Sequence, residues 1–133
     1  MYKRLTKKLI NNNSAKIYIF EKSLIKFKIK RINIIKNNSH FYNFRKGHAH
    51  KKLQQIISCL NGKIKIKLDN GKKKKTIILN SLSNPIFLKK GIWREITYLE
   101  KDTILHVICS NEYSESDYIR DYKMFLKWKK FNT

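Results

Sequence analysis

The chain has 133 residues, enough for one domain with a substantial core and too few for two ordinary ones. Aromatic residues make up 12% and proline occurs once, which excludes a disordered or low-complexity chain. The formal net charge of +22 would draw the protein towards nucleic acid, anionic surfaces or phosphorylated small molecules. The plainer reading is compositional: Lys, Asn and Ile are abundant together, and many lysines occupy the polar positions of alternating strands, where they make a solvated face.

In chain order, Ala15 to Phe20 and Leu24 to Ile35 read as β-strands. In the second, Ile25, Phe27 and Ile29 share one face before the apolar parity slips at Lys30-Arg31, a bulge or bend. Residues 36 to 44 are polar and carry His40 and Tyr42 ahead of the strand that holds His48 and His50. Leu53 to Leu60 is largely apolar, Asn61-Gly62 is a turn, and Lys63 to Leu68 alternates with period two. Asp69-Asn70-Gly71 closes a hairpin into Lys75 to Leu79. A loop at Ser81 to Pro85, a strand at Ile86 to Leu88, a turn at Lys89-Lys90-Gly91, and strands at Ile92 to Leu99 and Thr103 to Ser110 complete the β region. Short strands at regular spacing indicate an all-β sandwich, jelly roll or small barrel. The period then changes: Ser116 as cap, Asp117 in the first turn and a stripe of Tyr118, Tyr122, Phe125 and Lys129 predict a helix over 116–131, packed on the sandwich.

Cys59 and Cys109 each lie inside an apolar run, so they read as small core residues rather than a disulfide or metal pattern. The basic N-terminus loses its apolar character at Asn11-Asn12-Asn13, so no signal peptide is expected. No run approaches the length of a membrane span, and the default location is the cytoplasm.

The stretch richest in chemistry runs from Arg45 to Gly62. In a strand, His48 and His50 point to one side while Ala49 points away, so two imidazoles converge. Four residues separate His50 from Gln55, and six more lead to Gly62. This spacing resembles the first motif of the cupin superfamily, with Gln55 where the family has Glu. The second cupin motif supplies a last histidine after a glycine; here Gly91-Ile92-Trp93-Arg94 puts Arg94 in its place. The four usual ligand positions therefore read His48, His50, Gln55 and Arg94. An amide is a poor ligand for a divalent metal and a guanidinium repels one, so no metal centre is expected.

A narrower resemblance is carried by Arg45-x-x-His48-Ala49-His50-Lys51-Lys52, Leu60-Asn61-Gly62, Asp69-Asn70-Gly71, Trp93-Arg94-Glu95 and the ending Tyr113-x-x-x-Asp117-Tyr118-Ile119-Arg120-Asp121-Tyr122. Together they resemble the dTDP-sugar 3,4-ketoisomerases, from about Asn11 to Phe125. The resemblance implies a single cupin jelly-roll domain over 1–133 with a C-terminal helix, a homodimer formed by strand exchange, and no metal or organic cofactor. It implies that the keto group of dTDP-4-keto-6-deoxy-D-glucose moves from C4 to C3 through an enediol(ate), towards a 3-amino-3,6-dideoxyhexose of a surface glycan such as O-antigen. His50 is expected as the main acid–base group and His48 in support. Arg45, Gln55, Trp93 and Arg94 are expected on the substrate. Arg94 after Trp93 is the arrangement of the branch giving the gluco product, with the galacto product as the alternative.

Departures from that family are also legible. Its Arg-Gly-x-His becomes Arg45-Lys46-Gly47-His48, Asn13-Ser14 stands where an Arg-Gly pair is common, and a tyrosine facing the active site is matched by Asn33 or Ile34, with Tyr42 as a stand-in. Two other classes are weighed: a metal-dependent cupin, opposed by Gln55 and Arg94, and a basic nucleic-acid-binding protein, for which no helix-turn-helix, zinc-finger or aromatic RNA-binding signature is present.

Overall fold

The computed structural model describes residues 1–38 and 43–132, the side chains of residues 43–45 excepted. His40 and Tyr42, singled out above, lie outside the described residues.

Two five-stranded antiparallel sheets face each other. The first runs in the order β1 (Tyr2–Arg4), β9 (Ile86–Leu88), β6 (Gln55–Asn61), β11 (Ile104–Cys109), β4 (Arg31–Lys36). The second runs β12 (Tyr118–Ile119), β5 (Asn43–His50), β10 (Trp93–Tyr98), β7 (Lys63–Asp69), β8 (Lys74–Asn80). A separate hairpin pairs β2 (Lys8–Asn11) with β3 (Lys16–Ile19). This is the expected antiparallel sandwich of jelly-roll type with one helix, α1 (Tyr122–Phe131), at its C-terminal end. No helix among the described residues is long and apolar enough to cross a membrane.

Alternation explains the layers. In β7, Ile64, Ile66 and Leu68 are buried while Lys63, Lys65 and Lys67 face outwards, so one face meets the core and the other meets water. Ile57, Leu105, Val107, Ile96 and Tyr98 join them between the sheets. Each fully buried aliphatic side chain contributes about 1.5–3 kcal/mol of transfer free energy. The β7–β8 hairpin closes as its sequence indicates: Asp69 Oδ1 accepts from Gly71 N at 2.7 Å, and Gly71 has φ of 90°, a conformation open to glycine.

Three boundaries differ from the sequence reading. Residues 24–35 do not form one strand: a single 3-10 turn, Lys22–Leu24, precedes an irregular stretch, and pairing begins only at Arg31, where the parity slips. The short strands β1 and β2 are additional, and β1 exists because of its partner β9 far along the chain. The largest change is at the C-terminal end. Glu115–Asp117 form a 3-10 turn, Tyr118–Ile119 pair with β5 at His50 and Ala49, and the helix starts only at Tyr122, capped by Asp121 through Met124 N at 2.9 Å. Edge pairing outcompetes helix propensity over residues 116–121, and Ser116 does not cap the helix.

Candidate active site

Strand β5 sets the geometry. His50 and His48 face the interior of the sandwich, whereas Gly47 and Ala49 face α1. Gly47 is required by close approach: a Cβ there would lie 2.6 Å from Trp93 Cζ2. On the neighbouring strand Arg94 pairs in register with His48, and a bulge follows between Arg94 and Ile96. From the opposite sheet Gln55, at the start of β6, presents its amide oxygen to Arg94 Nη1, while Arg94 Nη2 donates to Ile92 O at 2.9 Å.

Arg94 is 2% exposed, and burial lowers its pKa to about 10, which leaves it cationic at neutral pH. Its described hydrogen-bond partners are neutral oxygens. The Gln55 amide turns its other end to Cys109, with Nε2 3.7 Å from Sγ. A buried guanidinium hydrogen-bonded to an amide occupies the place of two ligands, so these residues do not fit a dication.

The two imidazoles have different surroundings. His48 lines a cavity of about 200 Å³ with Asn33, Lys46, Gln55, Arg94, Tyr118 and Arg120, over a floor of Ile35, Ile57, Leu105 and Val107. His50 is 1% exposed and lies behind it, ring centroids 5.0 Å apart and nearly perpendicular. His50 Nδ1 is 3.1 Å from Asp117 Oδ2, and the Asp117 carboxylate also accepts from Lys52 N at 2.7 Å and Leu53 N at 3.3 Å. That network assigns Nδ1–H as the donor and leaves the lone pair on Nε2, which has no hydrogen-bond partner among the described residues. Burial, then Arg94, Arg31 and Arg120, push the His50 pKa down to about 2. Asp117 pulls the other way, but its charge is shared with two backbone N–H groups, and the desolvation with three guanidiniums prevails.

The tail completes the site. Tyr118 meets the His50 ring edge-on at 4.4 Å and the His48 ring at a tilt at 5.3 Å, centroid to centroid. The Arg120 guanidinium lies 4.1 Å over the Tyr118 ring and is held by Glu115 at 2.7 and 2.9 Å. A broader cleft of about 880 Å³ has Asp117 and Glu112 in its wall and Lys28, Lys30, Lys51 and Lys52 around it.

Of the residues expected here, His48, Gln55 and Arg94 meet at one cavity, with His50 directly behind. Trp93 does not join them. Adjacent residues of a strand face opposite ways, so with Arg94 inside, Trp93 lies outside against Ala49, Ile119 and Phe125, donating Nε1–H to Glu95 at 3.2 Å. The expectation that it lines the site is corrected to a role in seating α1. Arg45 pairs its backbone with Ile96, and its side chain lies outside the described residues. Sequence reasoning missed Asp117, Tyr118 and Arg120 as site residues by placing 116–131 on a helix; the signal was Asp121, a better N-cap for the stripe at Tyr122, Phe125 and Lys129.

Residues 3–130 match the protein family described as FdtA: WxcM-like, C-terminal. The chain is 35% identical over 122 residues to the TDP-4-oxo-6-deoxy-alpha-D-glucose-3,4-oxoisomerase of Aneurinibacillus thermoaerophilus, covering 92% of this chain and 87% of that one. Its structure is similar to a crystal structure of a 3,4-ketoisomerase from Helicobacter canadensis, with TM-score 0.89, 35% identity and 97% of each chain covered. It is similar also to the sugar 3,4-ketoisomerase QdtA of Thermoanaerobacterium thermosaccharolyticum in complex with TDP, with TM-score 0.90, 32% identity, and 98% of this chain and 96% of that one covered.

Proposed function

The chain belongs to the FdtA family, WxcM-like, C-terminal, and is an enzyme of the TDP-sugar 3,4-ketoisomerase kind; on that premise we propose that it moves the keto group of TDP-4-keto-6-deoxy-D-glucose from C4 to C3 by acid–base catalysis without a metal. The observation that carries this reading is the cavity-facing imidazole of His48 beside a buried Arg94 that is hydrogen-bonded to Gln55. An imidazole takes the C3 proton and returns it to C4, while a fixed guanidinium stabilises the negative charge that grows on the adjacent oxygen.

The geometry favours His48 over His50 as the group that meets the sugar. His48 forms cavity wall, whereas His50 Nε2 has no exposed surface and its ring resists protonation. His50, expected from sequence as the main acid–base group, lies directly behind His48 and is oriented by Asp117. The hexose fits the smaller cavity, and the lysine-rimmed cleft takes the diphosphate. The product is the gluco epimer, TDP-3-keto-6-deoxy-D-glucose, on the strength of Arg94 in the cavity wall. It is formed in the cytoplasm as a precursor of a 3-amino-3,6-dideoxyhexose for a surface glycan.

The working unit is a strand-exchanged homodimer. The β2–β3 hairpin exposes Leu9, Ile10, Ile17 and Tyr18, and a two-stranded hairpin is marginal in water unless it docks on something. The reading is tested by incubating EDTA-treated protein with TDP-4-keto-6-deoxy-D-glucose and following the ring protons by NMR. Turnover to the gluco 3-ketone is expected. Activity that disappears with EDTA and returns with a divalent metal would overturn the metal-free mechanism, and the galacto epimer as first product would overturn the stereochemistry.

A further inference from the structure

Helix α1 is packed on one face only. Phe125 is fully buried in a cluster with Ala49, Trp93 and Ile119, and Tyr122 and Trp128 lie beside it, partly buried. At about 100° per residue, the opposite face carries Lys123, Lys127 and Lys130 in one row. Met124 and Phe131 run along one side of that row and Leu126 along the other, 65%, 76% and 38% exposed. None of the three lysines has an ion pair among the described residues, and the helix contains no acidic residue.

Next to the row, Asn70, Gly71, Lys72, Leu126, Lys129 and Lys130 line a pocket of about 220 Å³, with no carboxylate among the described lining. Lys129 is held there by a hydrogen bond from Nζ to Gly91 O at 2.9 Å, and burial, then Lys89 and Lys72, lower its pKa. Like charges gathered around a part-buried ammonium repel one another, and a phosphate between them turns that repulsion into attraction. Compositional abundance accounts for lysines spread over a surface. It does not account for large apolar side chains left in water among them.

A nucleic acid would engage the lysines and leave Met124, Leu126 and Phe131 exposed. An anionic bilayer satisfies both sets: headgroup phosphates meet the ammonium groups, and the apolar side chains reach the acyl boundary. We propose that the exposed face of α1 docks on the anionic surface of a phospholipid bilayer, with headgroup phosphates at the lysine row and the adjoining pocket. This peripheral attachment does not depend on the isomerase reading, because the described lining of the histidine cavity contains none of these residues.

The test is cosedimentation of the full chain, at physiological ionic strength, with vesicles of phosphatidylglycerol and phosphatidylcholine in equal parts and with vesicles of phosphatidylcholine alone. Binding is expected to the anionic vesicles only, with the emission of Trp128 shifted to the blue. Each basic residue near an anionic surface contributes a factor of about five. A Lys72→Gln/Lys127→Gln/Lys130→Gln variant, which strips the pocket and the row, should therefore bind ~10²-fold more weakly. Met124→Ser with Phe131→Ser should weaken binding by about tenfold through lost apolar insertion, and both variants should isomerise in solution at the wild-type rate. Failure to bind the anionic vesicles overturns the proposal. So does binding that the serine variant leaves unchanged, or that duplex DNA or inorganic phosphate displaces at equal phosphate concentration, since that is attraction to any anion.

Discussion

Lowering the pH from 7 to 5 should cost the fold about 2 kcal/mol through His50 alone. The folded-state pKa is depressed from the ordinary 6.5 to about 2, so between those values the unfolded chain binds a proton that the folded chain refuses. Stability from this group is complete above pH 6.5 and is lost as the pH falls towards 2. At pH 5 the unfolded state gains RT ln(1 + 10^1.5), about 2 kcal/mol. That is a large share of the 5–15 kcal/mol typical of a domain. The comparison protein is His50→Asn, which offers Asp117 a similar N–H and cannot titrate. Urea unfolding of both at pH 7 and pH 5, at fixed protein concentration and ionic strength, cancels the carboxylates and the other histidines. The stability difference, wild type minus variant, should fall by about 2 kcal/mol. Parallel pH dependence would refute the reasoning, and a wild type relatively more stable at pH 5 would show that the Asp117 ion pair, not burial and the guanidiniums, controls the ring.

His48→Asn should lower kcat by ~10²–10⁴-fold with an unchanged far-UV spectrum and urea midpoint, since the ring forms cavity wall rather than core. Gly47→Ala should cost about 1–3 kcal/mol in urea unfolding, because the new methyl meets the Trp93 ring at 2.6 Å and either α1 or the strand must shift. Asp117→Ala should cost about 1–3 kcal/mol by stranding the buried Leu53 N–H group, and should also impair turnover by releasing His50; intact stability would contradict it.

The sequence disclosed the sandwich because its strands alternate strongly, as in Lys63 to Leu68, and because Asn61-Gly62 and Asp69-Asn70-Gly71 mark turns. It disclosed Gln55 and Arg94 as neighbours of His48 through the resemblance of their spacing to the two cupin motifs. Trp93 was misplaced although alternation contained the answer, since Arg94 inside requires Trp93 outside. The tail is a different case: Ser116 and the aromatic stripe carry a genuine local helix signal, and only the open edge of β5, a tertiary feature, turns Tyr118–Ile119 into a strand. Asp117 and Tyr118 reach the histidines for that reason. Strand β1 depends likewise on a distant partner.

The central claim is the migration of a carbonyl from C4 to C3, and it is tested most directly with TDP-4-keto-6-deoxy-D-glucose labelled with carbon-13 at C3 and C4, followed by NMR during turnover in deuterium oxide. The account predicts that the ketone resonance at C4 decays as one at C3 grows, with hydrogen appearing at C4. A carbonyl that stays at C4 while C3 or C5 exchanges or inverts would make the protein an epimerase on a similar fold and contradict the account.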